Sequence, residues 1–146
     1  MSEAENYFKS ADEIEAVVRG FEECTLPDAE FSHPAHLIVA LSYLHVSGLT
    51  TSSAAERMRA GLYRFLDHYG IDRRKYNETI TLFWIKLVRG FLDRTEASRP
   101  FCDIANEMIR AYGTSRLVFS YYSTEHLMSE EARVGWVEPD LKPLDF

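Results

Sequence analysis

Two histidines three positions apart, His33 and His36, are the residues of this sequence best suited to chemistry. Residues at this spacing lie on one face of a helix, so both imidazoles would point in the same direction. On a helical wheel that face continues through Leu37, Ala40 and Leu44, which places the pair at one end of an apolar stripe. A ligand could be sheltered there. Paired imidazoles indicate a metal site, although HxxH alone is weak evidence and a hydrogen-bonded structural role is the alternative.

Carboxylates would have to complete such a site, because two imidazoles leave a divalent ion short of ligands. Glu22 and Glu23 lie in the last turn of the predicted first helix, where the helix dipole disfavours a negative charge by about 0.3–1 kcal/mol. The wheel directs Glu23 toward water and Glu22 along the edge of the apolar stripe. Glu22 is therefore the better ligand candidate, with a solvated acid at a helix end as the alternative.

Glu78 is the other carboxylate candidate, in the first turn of the predicted fourth helix. Asn77 before it would make a good N-cap, and a glutamate at this position is also favourable for purely local reasons. What supports a role as ligand is that this helix is expected to be central. The predicted metal site consists of His33, His36, Glu22 and Glu78, and suits Zn, Fe or Mn.

The elements that must position these residues are all helical. Gly, Pro and Ser divide the chain into segments with a helical period, and none shows the alternation of a strand. The five main helices are predicted at residues 11–25, 33–47, 52–69, 77–95 and 100–112. Shorter helices are predicted at 115–122 and 124–133. We therefore expect one all-α bundle over residues 1–146, with 1–10 flexible and 134–146 an extended tail, whose Trp136, Leu141 and Leu144 lie against the bundle.

Charge and composition exclude several classes of function. Residues 1–30 hold nine acids against two basic residues, which accounts for the whole net charge of -7, and no basic surface for nucleic acid is expected. No apolar run approaches the roughly 20 residues that span a membrane, and the N-terminus lacks the features of a signal peptide. Cys24 and Cys102 are in no CxxC arrangement and are expected to be reduced, so we expect a cytoplasmic protein. No Gly-rich phosphate loop is present, and no nucleotide cofactor is expected.

Five short strings of the sequence carry a resemblance to a known family. They are FEECTLP at 21–27, FSHPAHL at 31–37, YNETITLFW at 76–84, YYS at 121–123 and WVEPDLKPL at 136–144. In combination they resemble a family of small uncharacterised bacterial helical proteins, for which no established activity is implied. The resemblance implies that Glu22, His33, His36 and Glu78 belong to the motif segments. Members of that family often carry histidine where this chain has Asn77. If that histidine is a ligand, the site here is weakened or different, although an asparagine can still offer its amide oxygen.

Two hypotheses for function follow. The first, which we favour, is a bundle with a divalent-metal site, acting as a metal-dependent hydrolase or oxidase. The second is a non-enzymatic module in which the histidines and glutamates form a structural hydrogen-bond cluster. Its surplus of aromatic residues, nine Phe, eight Tyr and two Trp, would line a small-molecule pocket or a homodimer interface. Neither hypothesis names a reaction or a substrate.

Overall fold

The computed structural model describes residues 7–146, which form helices and their connections and contain no β-strand. The five main helices are α1 (Ala11–Glu22), α2 (His33–Leu41), α3 (Thr51–His68), α4 (Glu78–Asp93) and α5 (Phe101–Tyr112). Two short helices follow, α6 (Thr124–Leu127) and α7 (Glu130–Val134). A π-helical turn at Ser42–Val46 continues α2, and 3-10 turns lie at Asp28–Glu30, Arg73–Lys75 and Ser115–Ser120. The predicted all-α fold class is confirmed.

Local hydrogen bonds explain where these helices begin and end. Ser10, Thr50 and Asn77 each accept a hydrogen bond from the backbone N–H three residues later, as N-caps do. The first helix ends before the predicted residue 25 because the backbone reverses at Cys24, which has a φ of 57°. The predicted helix at 124–133 is in fact two helices, since Ser129 caps a new one by accepting a hydrogen bond from the N–H of Ala132 at 3.2 Å.

Helix α4 lies at the centre of the packing, as predicted. It packs against α2, α3 and α7, and Phe83, Ile85 and Val88 on it are almost completely buried. The whole of α2 from Leu37 to Leu41 is buried as well. The two helices that carry the candidate residues His33, His36 and Glu78 therefore contact each other inside the fold. No helix within residues 7–146 combines the length and apolar character needed to cross a bilayer.

The C-terminal segment after α7 lies against the helices without forming one. Trp136 and Leu144 pack against the core, as predicted, whereas Leu141 is 56% exposed, so the prediction for Leu141 was wrong. The backbone N–H of Leu141 donates to the carbonyl of Tyr121 at 2.9 Å, and this bond anchors the main chain while the side chain faces solvent. The hydroxyl of Tyr122 donates to the carbonyl of Val137 at 2.7 Å and holds the segment further upstream.

At the other end of the chain, residues 1–6 of the segment predicted to be flexible lie outside the described residues. Phe8 is tied to α5 through Asn106: its N–H donates to the side-chain oxygen at 3.0 Å, and its carbonyl accepts from the side-chain nitrogen at 2.8 Å. The two cysteines are unpaired, as predicted.

Candidate functional site

A cavity of about 400 Å³ lies among α2, α3, α4 and the 3-10 turns Arg73–Lys75 and Ser115–Ser120. Its volume is within the range of small-molecule sites, roughly 300–1,000 Å³. Most of the lining is apolar, from Ala40, Met58, Leu62, Leu66, Ile80, Trp84, Ile85, Val118 and Phe119. The polar lining residues are His33, His36, Lys75, Tyr76, Asn77, Thr81 and Ser115. Both histidines of the predicted HxxH pair therefore face one cavity.

Each imidazole of the pair is fixed by a hydrogen bond to a backbone carbonyl. His33 Nε2 lies 3.2 Å from the carbonyl oxygen of Tyr112, and His36 Nδ1 lies 3.0 Å from that of Ser32. Because a carbonyl oxygen only accepts hydrogen bonds, we assign the proton of each ring to these two nitrogens. In the neutral rings, His33 Nδ1 and His36 Nε2 then carry the lone pairs and act as acceptors.

The surroundings of both rings favour the neutral form. Burial lowers the pKa of His36 to about 4, and burial also lowers the pKa of His33. The ring of Phe31 stacks on His36 at a centroid distance of 3.9 Å, and Trp84 meets His33 edge-on at 4.4 Å. At neutral pH the cavity is thus lined by two oriented, uncharged imidazoles.

Glu22 is not part of this cavity. At the end of α1 it accepts a short hydrogen bond from the hydroxyl of Tyr43 and another from Arg57 Nε at 3.0 Å. The cation and the hydroxyl offset the unfavourable helix dipole that drew attention to this residue. Glu23 is exposed, as the helical wheel predicted. Glu22 is half-buried beside α3, and its negative charge is neutralised there by Arg57.

Glu78 is buried, with 9% of its surface exposed, and is not one of the residues that line the cavity. Arg59 binds it with two parallel hydrogen bonds, of 2.9 and 2.5 Å, and the Tyr76 hydroxyl donates a third at 2.5 Å. Burial alone would raise the pKa of Glu78, but the hydrogen bonds from Arg59 and Tyr76 outweigh burial and the pKa is lowered. Glu78 is therefore an ionised carboxylate whose lone pairs are largely taken.

The four predicted metal ligands do not form one cluster in the structure. Within residues 7–146 no group of three or more His, Cys, Asp or Glu side chains is arranged to hold a metal ion. His33 and His36 line the same cavity, while Glu22 and Glu78 are held in separate ion pairs. The side chain of Asn77 lines the cavity, but its oxygen accepts from the N–H of Ile80 and its nitrogen donates to the carbonyl of Leu127, both at 3.0 Å.

Three residues that contact the candidate glutamates or line the cavity were not identified from the sequence. Arg57 and Arg59 neutralise the two glutamates across distances of 35 and 19 residues along the chain, and no local pattern indicates such pairs. Lys75 was not a candidate from the sequence, yet it lines the cavity. The sequence held one signal for the hydrogen bonds of Glu78. The hydroxyl of Tyr76 is two residues from the Glu78 carboxylate.

Comparisons with protein-family models, with curated proteins and with solved structures found no match. The family resemblance of the sequence motifs stays a prediction. The geometry of the cavity therefore carries the functional proposal.

Proposed function

We propose that the protein binds a small, mainly apolar molecule in the 400 Å³ cavity, and that His33 and His36 accept hydrogen bonds from a donor group on that molecule. The observation that carries this proposal is the pair of carbonyl-bound imidazoles lining one apolar cavity. A molecule without a donor would displace water from both acceptor nitrogens without pairing them, which costs free energy and provides specificity.

The cavity also limits the size of its occupant. At roughly 20–30 Å³ for each non-hydrogen atom, 400 Å³ holds about 13 to 20 such atoms. Removing the apolar surface of such a molecule from water contributes about 25 cal/mol per Å². Hydrophobic burial would supply most of the affinity, and the imidazoles would select among apolar molecules.

A neutral fluorescent amine tests the proposal directly. N-phenyl-1-naphthylamine is apolar, uncharged and carries one N–H donor, and its emission rises in an apolar site. We expect saturable binding to the wild-type protein and to Leu82→Trp, which adds bulk at a half-buried leucine outside the cavity. Leu62→Trp, which adds the same bulk to the cavity lining, should abolish binding. Equal binding by both variants, or none by the wild type, would reject the proposal.

The role of the histidines is tested by His36→Phe. Phenylalanine keeps a ring stacked on Phe31 but removes the acceptor nitrogen. The variant should bind the amine about three- to tenfold more weakly, which corresponds to one net hydrogen bond. It should bind 1-phenylnaphthalene, which has no N–H, as the wild type does. A similar loss for both molecules would mean that His36 contributes packing and not recognition.

The same lone pairs favour a second candidate function, metal binding. Neutral imidazole is the form that binds Zn, Fe or Mn, and His33 and His36 keep one unbonded nitrogen each. A metal-dependent hydrolase or oxidase built on this pair would take its remaining ligands from water or from the bound molecule, because Glu22 and Glu78 are engaged by arginines. Metal content of protein purified without a histidine tag is the test. Less than about a tenth of an equivalent, unchanged in the double variant His33→Ala, His36→Ala, would end this proposal.

A further inference from the structure

Lys75 is a cation at the edge of the cavity, and no acidic partner for it lies within the described residues. It is exposed, lines the cavity, and makes no ion pair within residues 7–146. The two arginines before it are both close to acids: Arg73 binds Asp67 at 2.6 Å, and Arg74 lies 3.9 Å from Asp72. Among the three basic residues of this turn, Lys75 is therefore the one without an ion pair to any described residue.

Acidic side chains are missing from the cavity lining, although the protein as a whole is acidic. The chain has 23 Asp and Glu residues and a net charge of -7, yet none of the lining residues described above is an acid. Asp72 and Glu78 are the nearest carboxylates along the chain, three residues before and after Lys75; Asp72 accepts from the N–H of Arg74 at 2.9 Å, and Glu78 is directed to Arg59. With both histidines neutral, Lys75 carries the one formal charge of the lining in the described structure.

We infer that the ligand is an amphipathic anion, whose apolar body and donor group lie in the cavity and whose single anionic group pairs with Lys75 at the edge. This inference rests on the proposed function. The ammonium of lysine is a point charge on a flexible four-carbon stem, so it can follow an anionic group without a preformed fork. Its stem can also cover the apolar body of the ligand. A cationic amphiphile would meet the same charge with the opposite sign and is disfavoured.

Three molecules of equal chain length test how the charge of the ligand changes its affinity. 10-Hydroxydecanoate, 1,10-decanediol and 10-amino-1-decanol each have about a dozen non-hydrogen atoms and a hydroxyl donor, and they differ in the charge at the other end. Displacement of N-phenyl-1-naphthylamine at pH 7.5 and low salt gives their affinities. We expect the anion to bind about three- to fivefold more tightly than the diol, and the cation to bind most weakly.

Two lysine variants test whether Lys75 causes the preference for the anion. Lys75→Gln should reduce the preference for the anion over the diol to less than about twofold while leaving the affinity for the diol unchanged. Lys9→Gln, which removes the same charge at an exposed position outside the cavity lining, should keep the preference. If the wild type binds the anion and the diol equally, or if Lys75→Gln keeps the preference, the inference is wrong, while binding of the diol leaves the proposed function intact. If the dye does not bind at all, the proposed function fails and the inference fails with it.

Discussion

Acidification from pH 7.5 to 5 should destabilise the protein through the two cavity histidines. Burial holds His36, with a pKa lowered from 6.5 to about 4, and His33, also lowered, in the neutral form when the protein is folded. In the unfolded chain both rings take up a proton near pH 6.5. Between these values the unfolded state binds more protons, so the free energy of unfolding falls as the pH falls. Above about pH 6.5 this contribution to stability is fully present.

The magnitude follows from the pKa of His36. A decrease from 6.5 to about 4 corresponds at full effect to about 3 kcal/mol, of which about 2 kcal/mol would be lost by pH 5. His36 is only half-buried, and solvent screening reduces the expected loss to about 1–2 kcal/mol. His33 adds a smaller loss of the same sign. In a protein with a stability of about 5–15 kcal/mol, a loss of this size is readily measured.

Urea unfolding followed by circular dichroism at pH 7.5, 6.5, 5.5 and 5.0 provides the assay. The comparison is between the wild type and His36→Gln, because glutamine keeps a donor for the Ser32 carbonyl and cannot be protonated in this range. We expect the variant to lose about 1–2 kcal/mol less than the wild type over this interval. Carboxylates with lowered pKa values, such as Glu78, lose their contribution to the free energy of unfolding only below about pH 4.5, outside this pH range.

Two results would refute this reasoning. A free energy of unfolding that is constant from pH 7.5 to 5 in the wild type would mean that both rings can be protonated in place. An equal pH dependence in the wild type and His36→Gln would assign the effect to other groups. Either result would also remove the argument that burial keeps His36 neutral at pH values below its ordinary pKa of 6.5.

Three further predictions concern the packing around the site. Gly61→Ala should destabilise the protein by about 1–3 kcal/mol, although alanine usually favours a helix, because the new Cβ would lie 2.7 Å from the ring of Phe21; thermal unfolding should show partial recovery when Phe21→Leu is added. Asn77→Ala should cost about 1–2 kcal/mol through the lost N-cap of α4, and Asn77→Asp, which keeps the capping oxygen, should cost less in the same urea assay. Arg59→Met should cost about 2–4 kcal/mol, because it leaves the buried Glu78 carboxylate without its cation. Adding Glu78→Gln to that variant should recover part of the loss; no recovery would show that Arg59 acts through packing alone.

Much of the fold could be predicted because its signals are local. The period of apolar residues predicted the helices. The N-cap at Asn77 and the Gly, Pro and Ser residues between the helices predicted where they begin and end. The apolar character of α4 predicted that it lies at the centre of the fold. Errors arose where a local pattern was ambiguous. The helix predicted at 124–133 is divided at Ser129, which caps a new helix, but a serine also occurs inside helices, so its type alone did not show the division. Leu141 is apolar, but the backbone bond to Tyr121 decides its direction.

The candidate site was only half predictable, for a physical reason. The HxxH spacing fixes two side chains on one face of one helix, and the structure brings both to one cavity. Glu22 and Glu78 were chosen because one lies in the last turn of the first helix and the other in the first turn of the fourth. What each carboxylate binds, however, depends on which cation lies next to it in the folded protein. Arg57 and Arg59, two positions apart on α3, reach one glutamate each. Spacing within the sequence carries no information about such long-range pairs.

The arginine pairs also determine which chemistry the cavity can offer. Neither Glu22 nor Glu78 lines the cavity, so, among the described residues, the two imidazoles have no carboxylate beside them with which to attract a cation. With Arg57 and Arg59 bound to them, the carboxylates are compensated outside the cavity, and the charge that remains at its edge is that of Lys75. An apolar space with neutral acceptors inside and one cation at the edge matches a molecule with an apolar body, a donor and an anionic group. The ligand class that we propose therefore rests on the distribution of charge between α3 and the cavity more than on the histidine pair by itself.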